Sequence, residues 1–267
     1  MSVYQIVTEK MIQKLEEGVV PWRKSWINGM AVNWVTQKPY RGVNQFLLEP
    51  GEYATFKQIK DAGGKVKKGS KGQIVVYWNW INKENKDTGE IEKFPLLRYY
   101  KVFEINTQCE GLESKRVRID ETEINHDVVA ACESLIDGYV NKPEIYFVSG
   151  EASYNKVLDK VKCPPLKDFT SLSEFYSTLF HELVHSTGHA SRLNRKELTA
   201  SALFGDESYS KEELTAEMGS AMLCAIAGVD TEDSFQNSVA YIQSWLKALK
   251  NDSTLVVRAA SQAQKAV

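Results

Sequence analysis

The pentapeptide His181-Glu182-Leu183-Val184-His185 constrains this chain more than any other stretch, because two imidazoles four residues apart converge on one ion only if the segment carrying them is α-helical. Its flanks agree. Ser171 and Glu174 form an S-x-x-E start signal and Gly188 supplies a stop, so a helix is expected over residues 172–187. Leu172, Phe175, Leu179 and Leu183 share one face of it, while Glu174, Thr178, His181 and His185 share the opposite face. Glu182 lies about 100° round the helix from His181, within reach of water at a metal but outside the ligand row. Three of the four histidines fall at 181, 185 and 189, a concentration that favours a metal site over chance packing. His189 is expected to be structural, since the longer HExxHxxGxxH pattern needs a histidine where this chain has Ser191.

A third protein ligand must come from elsewhere, and Glu212, Glu213 and Glu217 stand ready. Ser210 is expected to cap a helix over 211–228, with Glu213, Glu217, Ser220 and Cys224 on one side and Leu214, Met218, Ala221 and Ala225 on another. Glu213 and Glu217 lie about one turn apart, so one can bind the ion while the other accepts a hydrogen bond from a ligand imidazole. Against Glu213 stands the pair Ser210-x-x-Glu213, itself a capping box that would spend this carboxylate on a backbone amide.

The remainder of the 267 residues has room for two domains of ordinary size. With 43% hydrophobic and 25% charged residues the chain is neither disordered, collagen-like nor a disulfide scaffold. It has no apolar run of the ~18 residues a membrane helix needs, and Glu9, Glu16 and Glu17 stand where a signal peptide would be apolar, so a cytoplasmic protein with no membrane partner is expected. Cys109, Cys132, Cys163 and Cys224 form no CxxC pair and suit free thiols. The overall charge of −2 conceals a division: residues 1–118 hold 20 Lys and Arg against 13 Asp and Glu, a net of +7, which leaves −9 for residues 119–267. Five of the six tryptophans, Trp22, Trp26, Trp34, Trp78 and Trp80, belong to the basic half.

Within that half, Val3, Val7, Met11 and Leu15 recur at helical spacing, and Gly18 and Pro21 end the helix they imply. Residues 74–81 (IVVYWNWI) and 96–105 (LLRYYKVFEI) read as an antiparallel hairpin. Trp22, Arg23, Lys24 and Trp26, together with Lys65, Lys67, Lys68 and Lys71 in a glycine-rich segment read as a flexible basic loop, are the candidate nucleic-acid contacts. Rings stack on unpaired bases at ~1–3 kcal/mol each while cations track phosphates, and no basic helix suits a major groove, so single-stranded DNA is the expected partner. Solvated lysines and core aromatics are the competing explanation.

Together the segments PWRKSW, GGKVKKGSKG, FYSTLFHELVHSTGHASRLNR, FGDESYSKEELTAEMGSAML and SWLKALKNDSTLVVRAASQAQKA resemble the ArdC-like antirestriction proteins of plasmids and other mobile elements, over nearly the whole chain. The resemblance implies an α+β protein: a small N-terminal α+β domain (1–118) that binds single-stranded DNA on an antiparallel sheet, and a mainly helical zincin-like metallopeptidase domain (119–267). It implies one zinc held by His181, His185 and Glu213, with Glu217 supporting a ligand histidine, and Glu182 as general base for peptide-bond hydrolysis. Tyr209 is a candidate oxyanion donor or a packing residue, and residues 144–149 a strand along which a peptide could lie. The expected substrate is a host protein, a restriction enzyme being one candidate. The alternative is a protection protein that acts by DNA binding alone, its metal domain structural or vestigial. A nuclease is the weaker reading, for want of an Asp and Glu cluster suited to paired metals.

Overall fold

Ser2 starts the first helix by accepting a hydrogen bond from the Gln5 amide while the Gln5 side chain accepts one from the Ser2 amide. Helix α1 (Val3–Glu16) then turns Val7, Met11 and Leu15 inward, the expected stripe. The computed structural model describes residues 1–23, 29–84, 91–116, 127–199, 207–230 and 239–267. Strand β1 (Ala31–Asn33), helix α2 (Asn44–Leu47), strand β2 (Gly51–Thr55), helix α3 (Phe56–Asp61) and strand β3 (Lys65–Val66) lead to the long pair β4 (Gln73–Glu84) and β5 (Ile91–Glu104). These two pair antiparallel from Gln73↔Val102 out to Glu84↔Ile91, the hairpin expected of residues 74–81 and 96–105. The sheet order is β1-β2-β5-β4, with β1 and β2 parallel. Because β2 reaches β5 only at Val102, Phe103 and Glu104, most of the β4–β5 pair runs on beyond the sheet as a two-stranded ribbon.

Helix α4 (Ile105–Gln108) and strand β6 (Cys109–Glu110) correct the expectation of a flexible lysine loop. β6 pairs with β3, Lys67 donates from Nζ to the Thr107 carbonyl at 3.0 Å, and Gly64 packs so closely on Leu112 that a Cβ there would meet it at 2.5 Å. The segment is pinned on both sides.

Helix α5 (Val128–Gly138) precedes a small sheet of β7 (Glu144–Phe147), β8 (Ser153–Asn155) and β9 (Lys160–Cys163), ordered β7-β9-β8, so β7 forms one edge. There follow α6 (Leu172–Thr187), α7 (Lys196–Thr199), α8 (Glu207–Ala227), α9 (Val239–Asn251) and α10 (Leu255–Ala266). Among the described residues no helix is long and apolar enough to cross a membrane, and all four cysteines are free and buried. The α+β architecture is the expected one, with a sheet-bearing N-terminal part and a mainly helical C-terminal part. Its largest core nonetheless crosses residue 118: Met11, Leu15, Trp22, Phe46, Ile74 and Leu97 pack with Leu214, Met218, Trp245, Leu249 and Val256. A second core, with Cys132, Val161, Phe175, Leu179 and Phe180, lies under α6.

Candidate metal centre

Helix α6 begins where the start signal put it, the Ser171 hydroxyl accepting from the Glu174 amide at 3.1 Å. The Glu174 carboxylate accepts instead from the Thr170 amide and hydroxyl, so only half of the capping box forms. Against α6 runs α8, with Glu213 opposite the histidines and Ser220 donating to the Ser177 carbonyl at 2.7 Å. The two helices approach closely because Gly219 has no side chain: a Cβ there would lie 2.7 Å from a Val184 methyl. Helix α8 begins before Ser210, which therefore sits inside the helix and caps nothing. That corrects the expected capping box and leaves the Glu213 carboxylate for the histidines.

His181 Nε2 and His185 Nε2 are 3.0 Å apart, His185 Nε2 lies 3.4 Å from one Glu213 oxygen, and His181 Nε2 lies 3.5 Å from the other. A tetrahedral ion with bonds of ~2.0–2.1 Å holds its ligand atoms about 3.3 Å from one another, so this triangle fits a divalent ion. Among the described residues these three form the one group of metal-ligating side chains close enough to share an ion. Glu182 is buried on the same helix, and its carboxylate makes no hydrogen bond among the described residues.

Behind the triangle stands Glu212, one of the three carboxylates at hand, in the supporting role expected of Glu217. Glu212 Oε1 lies 3.1 Å from His185 Nδ1, and since a carboxylate only accepts, Nδ1 carries the proton and Nε2 is the atom turned to an ion. Arg195 grips Glu212 with two donors, Nη2 at 2.5 Å and Nε at 2.9 Å, and also donates to Thr187 Oγ1 and the Val184 carbonyl. Room for that guanidinium comes from Gly188, whose missing Cβ would lie 2.8 Å from it. Glu217, expected in this supporting role, is instead paired with Arg23 at 3.1 Å. The reason is angular: Glu212 and Glu217 differ by five positions, about 140° on a helix, so they serve different neighbours. Burial alone would push the His185 imidazolium down, but Glu212 and Glu213 outweigh it and raise it to about 10. Burial likewise opposes ionisation of Glu213, and the two histidines outweigh it, holding the carboxyl well below its usual range.

His189 turns its Nδ1 to the Ser191 hydroxyl and amide, a local turn that keeps it out of the triangle. Tyr209 lies in the first turn of α8 and its side chain falls outside the described residues. Strand β7 carries the exposed rings of Tyr146 and Phe147.

The expected nucleic-acid contacts fare unevenly. Trp22 is 0% exposed, edge-on to Trp245 at 5.8 Å, which corrects its reading as a stacking ring. Arg23 lies over the Tyr241 ring at 4.2 Å and against Glu217, so it too is spent inside the fold. Lys24 and Trp26 lie outside the described residues. Lys65, Lys68 and Lys71 are exposed and Lys67 half-buried. The accessible rings belong to the ribbon, where Trp78 is 44% and Trp80 63% exposed, with Tyr77, Tyr99 and Tyr100 nearby.

Known proteins resemble the chain on both sides. A family of zincin-like metallopeptidases matches residues 133–262, and the N-terminal domain of anti-restriction factor ArdC matches residues 1–103. The metal-free crystal structure of antirestriction ArdC protein from the R388 plasmid is 37% identical, with a TM-score of 0.75 over all of this chain and 95% of that one. Its Mn(II)-bound form gives 35% identity and the same TM-score, covering 96% of that chain. An uncharacterized protein of Sinorhizobium fredii, y4eC, is 30% identical over 99% of this chain and 90% of its own length. Two Escherichia coli proteins named DNA primase TraC are 32% and 31% identical over 98% of this chain, which spans only 19% and 26% of their lengths.

Proposed function

The chain belongs to the ArdC-like antirestriction family, and from that premise we propose that it binds single-stranded DNA and hydrolyses peptide bonds at a divalent metal centre. The observation that carries the catalytic half is the donor triangle of His181, His185 and Glu213, with Glu182 next to His181 on the same helix and its carboxylate without a hydrogen bond among the described residues. A bound ion would supply Lewis acidity to a water and to a scissile carbonyl. Glu182 takes the water's proton and later delivers one to the leaving amine, a role open to a carboxylate with no hydrogen-bond partner among the described residues. Glu212 and Arg195 hold His185 in the tautomer that leaves Nε2 for the ion. Zinc is the ion we propose, since two imidazoles and one carboxylate suit it; the relative solved with Mn(II) makes manganese the comparison to run.

The DNA half rests on the ribbon, whose exposed rings stand beside Arg98 and Lys101. We assign a host protein as substrate, with restriction enzymes the first to test. The decisive experiment incubates the full chain, loaded with zinc or manganese, with unfolded polypeptides and candidate host proteins, with and without single-stranded DNA. Cleavage by the wild type and none by a metal-replete Glu182→Gln variant is expected. A wild type that is fully loaded and inert throughout, while still binding DNA, would leave protection by DNA binding alone.

A further inference from the structure

We infer that a single DNA strand lies along the outer side of α10, in a groove that both halves of the chain build; this deepens the DNA-binding reading above and rests on it. The apolar residues of α10 decide what is left for solvent. Leu255, Val256, Val257, Ala259, Ala260 and Ala263 are buried, so Arg258, Ser261, Gln262 and Lys265 line up on the opposite side, spaced by three, one and three residues. No carboxylate interrupts that side, because α10 contains none.

Three cavities open onto it end to end. The first, of about 560 Å³, lies between α8, α9 and α10, where Lys211, Lys247 and Arg258 face, among the described residues, a single acid, Asp252, which pairs with Lys211 at 3.7 Å. The next, of about 250 Å³, shares Lys211 and Arg258 with the first and reaches Trp78 on the ribbon. A third, of about 270 Å³, shares Trp78 and Ser261 with the second and ends at Arg41 and Lys265. Four of these five cations come from the half of the chain whose net charge is −9, so their alignment in one groove is not the average of their surroundings.

The groove is already formed. Gln264 accepts from the Gly42 amide at 2.9 Å, tying α10 to the turn before α2, and Tyr4 braces Trp78 edge-on with 6.3 Å between rings. Cations in a row with an aromatic wall among them are what an unpaired strand uses: phosphates follow the charges and a base lies on the ring. A duplex keeps its base faces hidden from Trp78, and an acidic peptide would use the cations but offer that ring no stacking plane.

The test titrates labelled oligothymidylate against the full chain across a salt series. Lys247→Glu/Arg258→Glu should weaken binding by more than about tenfold and flatten the slope of log affinity against log salt by about 1.4, two phosphate contacts at ~0.7 each. Trp78→Ala should cost roughly fivefold to 150-fold, the loss of one stacked base. The charge-matched pair Lys142→Glu/Lys167→Glu, away from the groove, should leave affinity within about twofold. Wild-type affinity and slope in the Lys247→Glu/Arg258→Glu variant would overturn this inference alone, as would displacement of the strand by polyglutamate or by duplex at equal concentration. A wild-type chain that binds no single strand at any salt would bring down the DNA-binding reading itself.

Discussion

The corner between α6 and α8 and the groove along α10 concentrate charge in opposite ways. In the corner the charged groups are buried or half-buried and each is held by the next: Arg195 by Glu212, the Thr187 hydroxyl and the Val184 carbonyl, Glu212 by His185, and His185 by Glu213. Along α10 four of the five cations are exposed, Lys211 being half-buried and paired with Asp252 at 3.7 Å, and they come from α8, α9, α10 and the turn before α2 with no network joining them all. The difference follows from what each would bind. An ion needs donor atoms fixed to within a few tenths of an ångström before it arrives, which only an interlocked set provides. A strand that slides needs charges of roughly equal worth at intervals, and independence serves that better. Losses in the corner should therefore spread through the network, whereas losses in the groove should add.

The largest effect separates the three donors from the base. His181→Ala, His185→Ala and Glu213→Ala should each strip the metal from the purified chain, and combining two of them should add little, while Glu182→Gln keeps about one ion per molecule; elemental analysis reads all four. One step down, Glu212→Gln should weaken metal affinity by about 10- to 100-fold without abolishing it, because His185 keeps its place but loses the partner that fixes its tautomer. Smaller again, Glu217→Ala should leave metal affinity unchanged and cost about 1–3 kcal/mol in folding stability, through the carboxylate taken from Arg23. Metal loss in Glu217→Ala with full occupancy in Glu213→Ala would place the third ligand one turn later than the distances do.

Much of the corner was legible because it is local. The four-residue spacing of His181 and His185, the Ser171 start and the Gly188 stop act within a few turns of one helix, where the backbone alone fixes geometry. The β4–β5 pair was legible for the same reason, through the β-branched and aromatic residues crowded into each strand. What failed depended on which surfaces meet. Choosing Glu212 over Glu217 as the support of His185 requires knowing how α8 lies against α6, and the close approach of the two helices rests on Gly219 against Val184, two residues with no chemistry to advertise. Trp22 reads as a stacking ring until Trp245 and Tyr241, more than 200 residues later in the chain, close over it. The α10 groove was invisible in composition, since four of its five cations are scattered through an acidic half and only the packing of α8, α9 and α10 brings them to one side.

The smallest effect comes from two arginines of one turn, which repeat the comparison in miniature. Arg195 points inward to Glu212, while Arg192, three residues earlier, reaches outward to Asp159 and ties the end of α6 to the turn between β8 and β9. Hydrogen bonding from Arg192 is the largest influence and holds the Asp159 carboxyl below its usual range, while burial, the next largest, works the other way and the Tyr154 hydroxyl adds to the lowering. Because the folded value is the lower one, the stabilisation is fully present above the ordinary carboxylate range and is lost as pH falls through the folded value. Asp159→Asn should thus lower the melting temperature by about 2–4 °C at neutral pH, in line with roughly 1 kcal/mol for a partly exposed pair. The two proteins should converge once the pH falls below the folded-state value, where the wild-type carboxylate is itself protonated. Melting curves run with chelator at both pH values remove the ion from the comparison. A difference that persists undiminished in acid would mean that Asp159 acts through packing and not through its charge, and the outer arginine would then be no more than a spacer.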